Sequence, residues 1–203
     1  MDKIDKVFYI NLERRTDRRK EIENELCYKF LFTKSERFVG IPYELYGCTM
    51  SHIYLLRKMI LNGWETMMVF EDDCKLLTSR KSIDQHIERF LADETCDILC
   101  IGNSCGDNKP YNELFNRCFN TQTTSCYVIK KKFVKTLLEC YFNDPTECMT
   151  LTEKDNLAKH IGYIDICWIP LQQTHYFMMP KIRQVLQRPS YSDVEKKLVD
   201  YKL

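Results

Sequence analysis

The chain has 203 residues, 44% hydrophobic and 29% charged, with 30 basic against 29 acidic side chains and a net charge of +1. That length suits one domain with a sizeable core. The near-neutral balance gives no electrostatic reason to expect nucleic acid or an anionic membrane as partner, and no run approaches the roughly 18 apolar residues of a membrane span.

The N-terminal "MDKIDKVFYI" lacks the apolar stretch of a signal peptide. There are 11 cysteines, an odd number that cannot pair completely, and none stands in a C-x-x-C arrangement. They read as reduced and mostly buried, with a cytoplasmic location as the expectation.

"KVFYIN" at 6–11 is β-branched and aromatic and predicts a buried first strand; the charged "RRTDRRKEIENEL" predicts a helix. "ERFVGI" predicts a short second strand broken at Gly40. "LYGCTMSHIYLLRKMILN" places Met50, Ile53, Leu56 and Ile60 at helical spacing, and Gly63 suits the position after its end. "ETMMVFE" is a third strand, followed by a helix over 82–92, a strand at "DILCIG" and a loop at 102–113. "TSCYVI" predicts a strand and "KKFVKTLLECYF" an amphipathic helix. Thr152 and Asp155 have capping-box spacing for a short helix to His160, and "IGYIDICWI" reads as a strand. A last short helix is expected after Ser192. Alternating strands and helices predict an α/β layered fold with a mainly parallel sheet, where ligands bind at the carboxyl ends of strands.

"VFEDDC" puts Glu71, Asp72 and Asp73 where the third strand stops. Strand alternation sends Glu71 and Asp73 to one side and Asp72 to the other. Two carboxylates on one side can share a hard divalent cation; a solvated acidic turn is the other reading. Asn11 closes the first strand, so it and the acidic cluster would face the same edge. In "NLERRTDRR", four arginines fall within six residues. They are either a solvated helix face or guanidinium forks for phosphate.

Ser51 and His52 are adjacent on a helix, where neighbouring side chains diverge by about 100°, so they form no catalytic dyad. His52 reads as a structural or substrate-contacting residue, His86 as a solvated one and His160 as helix-terminal. His175 lies in an irregular stretch from which it can swing onto a metal. No G-x-S-x-G, P-loop, G-x-G-x-x-G or H-E-x-x-H motif is present.

"VFYINLERRTDRR", "GCTMSHIYLLRK" and "VFEDDC", in this order and spacing, resemble glycosyltransferase family 25, which includes lipooligosaccharide (lipopolysaccharide-biosynthesis) and procollagen galactosyltransferases. "IDICW", "PKIRQ" and "SDVEKKLVDY" resemble the collagen-modifying branch. The likeness runs from Val7 to about Tyr201. It implies a GT-A-type nucleotide-diphospho-sugar transferase fold over residues 1–203. About 1–105 would be the nucleotide-binding half and about 106–203 the acceptor half with the C-terminal tail. It further implies a UDP-sugar donor, Mn²⁺ (or Mg²⁺), a galactose or glucose moiety and inversion at the anomeric carbon. The acceptor would be a glycan or a hydroxylysine of a collagen-like protein.

Carried onto this chain, the resemblance puts Asn11, Leu12, Arg15 and Arg18 near the nucleotide and Ser51 and His52 at the family's Ser-His positions. The acidic motif falls on Glu71, Asp72 and Asp73, and Asp165 matches an acidic residue ahead of the C-terminal aromatic segment. Glu71 and Asp73 are expected to hold the metal with His175 as third ligand, Asp72 to hold the ribose, and Asp165 to be the general base. "ERFVGIPYEL" keeps only a trace of the usual Asp-Gly block. With no signal peptide, second transferase-like domain or retention tail expected, the compact form points to a bacterial or large-DNA-virus version. The alternatives are a non-catalytic GT-A-like binding module and a metal-dependent nucleotidyltransferase or nucleotide-sugar hydrolase.

Overall fold

The structure is a computed structural model that describes residues 3–29, 34–43, 46–141, 164–192 and 197–200. The first half comprises β1 (Lys6–Asn11), α1 (Thr16–Glu23) running into a π-helical turn (Asn24–Lys29), β2 (Ser35–Val39), α2 (Gly47–Asn62), β3 (Thr66–Glu71), β4 (Cys74–Leu76), α3 (Arg80–Ala92) and β5 (Ile98–Cys105). Then come β6 (Asn108–Pro110), β7 (Phe115–Cys118), β8 (Thr121–Lys130), α4 (Lys131–Tyr141), α5 (Ile164–Cys167) and a 3₁₀ turn (Pro170–Gln173). Strands β9 (Phe177–Pro180), β10 (Val185–Gln187), β11 (Ser190–Ser192) and β12 (Lys197–Val199) complete the described chain.

The central sheet has eight strands in the order β2-β1-β3-β8-β5-β9-β7-β6. Strands β1, β2 and β3 are mutually parallel, as are β5 and β9, while β8 runs antiparallel between β3 and β5. β7 is antiparallel to both β9 and β6, so only β7 and β8 oppose the common direction. This mostly parallel α/β sheet is the expected fold class, with two reversed strands added.

Helices cover both faces, which is why the strands read as nearly continuous apolar runs. In β1 the side chains alternate. Phe8 and Ile10 pack with Met50, Ile53 and Leu56 of α2 and Phe133 and Leu137 of α4. Val7 and Tyr9 join Ile22 of α1 and Ile83, Ile87 and Phe90 of α3 on the opposite face. Gly63 ends α2 at φ 69°, in the left-handed region that favours glycine, and its N–H donates to the Ile60 carbonyl. Because α2 returns antiparallel to the strands, its first turn lies at their carboxyl edge, beside Asn11 and Glu71.

The chain departs from expectation where local context overrides pattern. "IDIC" is helix α5 rather than strand: Ile164 and Trp168 are buried and Ile166 is 48% exposed, a four-residue period rather than an alternation. The expected loop at 102–113 holds the end of β5 and edge strand β6, where Pro110 is tolerated because one side needs no donor. Lys197–Val199 pairs with β11 as a ribbon instead of forming a helix. The Thr152–His160 helix lies outside the described residues. No disulfide joins the ten described cysteines to one another. No described helix is long and apolar enough to cross a membrane.

Candidate active site

The carboxyl ends of β1 and β3 converge through their last polar side chains. Asn11 Nδ2 donates to Asp72 Oδ2 at 2.7 Å and to the Arg15 carbonyl at 3.0 Å, which ties the end of β1 to the acidic cluster. Arg37 Nε donates to Asn11 Oδ1 at 3.1 Å and fixes the amide's orientation.

β3 stops at Glu71, and Asp72 and Asp73 form a turn before β4. Strand alternation therefore ends one residue too soon for the predicted pairing of Glu71 with Asp73. Instead Arg18 Nη1 serves both aspartates, at 2.9 Å from Asp72 Oδ1 and 3.3 Å from Asp73 Oδ2. Asp72 does not face away to await a ribose; Asn11 and Arg18 occupy its oxygens. Arg18 Nη2 continues to Ser190 Oγ and to the Tyr191 carbonyl at 2.9 Å. Arg15 pairs with Asp17 at 2.9 Å and reaches the Tyr191 carbonyl at 3.2 Å. Leu12, half-buried, packs beside Gly40, where an added Cβ would stand 3.3 Å from Leu12 Cδ2.

The C-terminal segment does reach the cluster, but through other residues than His175. β10 pairs with β4, Gln187 opposite Cys74. Gln187 Nε2 then donates to Asp73 Oδ2 at 3.0 Å, and the Arg188 amide donates to the Asp73 carbonyl at 2.8 Å. His175 lies just before β9, whose Phe177 pairs with Ile98; across β8 both are level with Met67, at the start of β3. It stacks on Phe133 with ring centroids 5.0 Å apart. The expected third metal ligand is thus at the wrong edge of the sheet. His86, expected to be solvated, is 6% exposed, with Nδ1 2.7 Å from the Ser82 carbonyl oxygen and its ring edge-on to Phe115.

Glu71 belongs to a second group beside the first. Thr124 Oγ1 donates to Glu71 Oε1, His52 Nε2 lies 3.4 Å and Cys48 Sγ 3.9 Å from the same oxygen, and Tyr127 Oη is 2.9 Å from His52 Nδ1. Ser51 faces elsewhere: its Oγ donates to the Gly47 carbonyl at 2.7 Å and accepts from the Ile41 amide at 2.9 Å, bracing the loop that enters α2. Asp165, opening α5, accepts from the Thr123 amide at 3.3 Å, and Thr123 holds a φ of 64°. Sequence reasoning missed Cys48, Thr124, Tyr127, Gln187 and Ser190. Cys48 alone had a legible signal, standing four residues before His52 on one helix face.

The electrostatics of the cluster follow from crowding anions in a dry place. Burial pushes the Asp73 carboxyl up to about 7, and Glu71 adds to the rise against the opposing Arg18. Burial also raises Asp72, opposed by Arg18 and Asn11. For Glu71 burial again disfavours the charge, but the neighbouring His52 ring, the Thr124 hydroxyl and Arg18 outweigh it and hold the carboxyl below its ordinary value. Burial raises Asp165, with the Thr123 amide opposing and Glu71 adding. Asp73 Oδ1 is buried and has no hydrogen-bond partner among the described residues. An anionic oxygen left in that state fits a divalent cation with open coordination positions.

A mostly parallel α/β sheet with buried acidic side chains at its carboxyl edge defines a GT-A-type transferase fold. Solved structures with this architecture include mannose-1-phosphate geranyltransferase from Thermus thermophilus, at TM-score 0.57 and 7% identity over 92% of this chain and 74% of that one. A glycosyltransferase involved in the glycosylation of the major capsid of PBCV-1 is similar at TM-score 0.52 and 10% identity, over 94% of this chain and 95% of that one. The family model of glycosyltransferase family 25 (LPS biosynthesis protein) matches residues 28–153, and the chain belongs to that family. No curated protein matches it.

Proposed function

We propose that this transferase moves a hexose, galactose or glucose, from a UDP-sugar to an acceptor hydroxyl with inversion, using Mn²⁺ or Mg²⁺. The acceptor is a glycan or a collagen-like protein. Asp73 carries this reading: it is a buried carboxylate with one orphaned oxygen, crowded by Glu71 and Asp72 and only partly neutralised by Arg18.

A cation held by Asp73 would stabilise the negative charge developing on the departing nucleoside diphosphate. The chain's own residues do the rest. Asn11 and Arg18 fix Asp72 and Asp73 in position, and Gln187 and Ser190 close over them from the C-terminal segment. Asp165 takes the proton of the attacking hydroxyl; its raised pKa brings it nearer to neutrality, where a general base works best. One base suffices, because inversion is a single displacement. The first half of the chain serves the nucleotide, and the second supplies the base and the acceptor wall.

Melting curves with UDP, GDP and CMP, each with Mn²⁺, test the donor. UDP at about 100 times its Kd should stabilise the protein by about 2.7 kcal/mol. If none of the three moves the melting temperature, the donor reading is wrong. A screen of UDP-galactose and UDP-glucose against glycans and collagen-like peptides then separates the transferase from a hydrolase: transfer to acceptor should outrun transfer to water.

A further inference from the structure

The first turn of α2 places Cys48 and His52 four residues apart on one face, aimed at the end of β3. The Cys48 thiol, a His52 ring nitrogen and a Glu71 oxygen all lie within 4.8 Å of one another. We propose that these three side chains form a binding site for a borderline-soft divalent ion, with Zn²⁺ as the class that fits.

Ligands about 2.0–2.3 Å from a tetrahedral ion stand about 3.3–3.7 Å apart. His52 Nε2 and Glu71 Oε1 are 3.4 Å apart, and Cys48 Sγ and Glu71 Oε1 3.9 Å, so a small inward movement completes the site. His52 is fully buried, and its Nε2 has no hydrogen-bond partner among the described residues. A direct charge-assisted hydrogen bond to Glu71 would sit at about 2.7–2.9 Å, shorter than the separation found. Tyr127 fixes the other ring nitrogen at 2.9 Å, and Thr124 donates to Glu71. A histidine pinned through one nitrogen, with the other directed at a thiol and a carboxylate, has the outer support of a metal ligand.

The donor set separates this ion from the one proposed at Asp73. Sulfur and imidazole select zinc-like ions, whereas magnesium and manganese prefer oxygen. Three protein donors leave a fourth position open at the edge where the substrate would sit.

Cobalt(II) is the probe, because a thiolate ligand gives it a charge-transfer absorption in the near ultraviolet. The full chain, stripped with a chelator, is titrated with Co²⁺ alone. The absorption should saturate at a single equivalent and disappear on adding Zn²⁺. It should be lost in Cys48→Ser and retained in Asp73→Asn. No absorption, or one that survives Cys48→Ser, overturns the proposal. If Cys48→Ser does not fold, X-ray absorption of the Zn²⁺-loaded wild type decides. A shell with one sulfur and at least one imidazole supports the site, and an all-oxygen shell overturns it. Asp73 is outside this set, so a missing absorption leaves the donor reading standing. UDP inert with Mn²⁺ while the absorption is present defeats only the donor reading.

Discussion

Replacing Asp73 with Asn should make the cation-free protein more stable at pH 8, although it removes a charged partner of Arg18. Burial and Glu71 raise the Asp73 pKa from 3.8 to about 7. The folded state therefore keeps this proton to a higher pH than the unfolded chain does. Stability is lost as pH climbs from about 4 to about 7, and the loss is complete above the folded value. The rise corresponds to about 4 kcal/mol of penalty on the ionised form at pH 8. The Asp73→Asn variant escapes that penalty but weakens the contacts with Arg18 Nη1 and Gln187 Nε2. Two weakened hydrogen bonds, one of them charged, return about 1–3 kcal/mol. The net gain is about 1–3 kcal/mol, or roughly 5 °C in melting temperature for a domain of this size.

The assay is differential scanning calorimetry of both proteins with chelator at pH 5 and pH 8. The advantage of the variant should be larger at pH 8, because at pH 5 the folded wild type still holds the Asp73 proton. With Mn²⁺ and UDP present the order should reverse, since only the wild type gains the ligand. A variant that melts below the wild type by the same margin at both pH values would show that Asp73 is not a strained anion. The argument for a cation at this carboxylate would then collapse.

Arg18→Leu removes the guanidinium that serves Asp72 and Asp73 and ties in Ser190; breaking a buried ion pair on one side should cost about 3–5 kcal/mol in urea unfolding at pH 8, and a loss below about 1 kcal/mol would mean the pair is already solvated. Asp165→Asn keeps the shape but cannot take a proton, so transfer should drop by roughly 10²–10⁴-fold with UDP affinity unchanged; near-wild-type turnover would pass the role of base to another carboxylate. Gly47→Ala introduces a Cβ 2.2 Å from the Ile41 carbonyl oxygen, so the loop braced by Ser51 must move and stability should fall by about 1–3 kcal/mol; unchanged thermal unfolding would show the loop to be free to yield.

Much of this architecture is legible because its signals are local. Apolar runs bounded by Asn11 and Glu71 mark strands buried on both faces, and the period of Met50, Ile53 and Leu56 with Gly63 marks a helix and its end. The errors arise where geometry depends on a residue's neighbours in space. Alternation extends through Glu71, Asp72 and Asp73 on paper, yet the strand stops at Glu71 and the turn delivers Asp72 and Asp73 to the same arginine. The irregular flanks of His175 suggest mobility, but β9 fixes it at the far edge, and the pairing of β10 with β4 brings Gln187 instead. No spacing rule in one chain encodes which return strand closes over a site. The Cys48–His52 pair differs, since four residues on a helix is a local relation.

The acidic edge is a place where the fold works against its own stability. Asp73 is 4% exposed and Asp72 7%, and the single guanidinium of Arg18 serves both while Glu71 stands beside them. A solvated turn would scatter these charges into water, where like-charge repulsion is weak. Here Asn11, Arg37, Gln187 and the Arg188 amide hold them in place through directed hydrogen bonds. Supporting groups of this kind, arranged around an unfavourable cluster, are expected where a sequence departs from the local rules for the sake of a ligand. An added positive charge would turn the same arrangement from a penalty into a binding site. That is why the pH dependence of Asp73→Asn, measured without any substrate, bears directly on what the site is for.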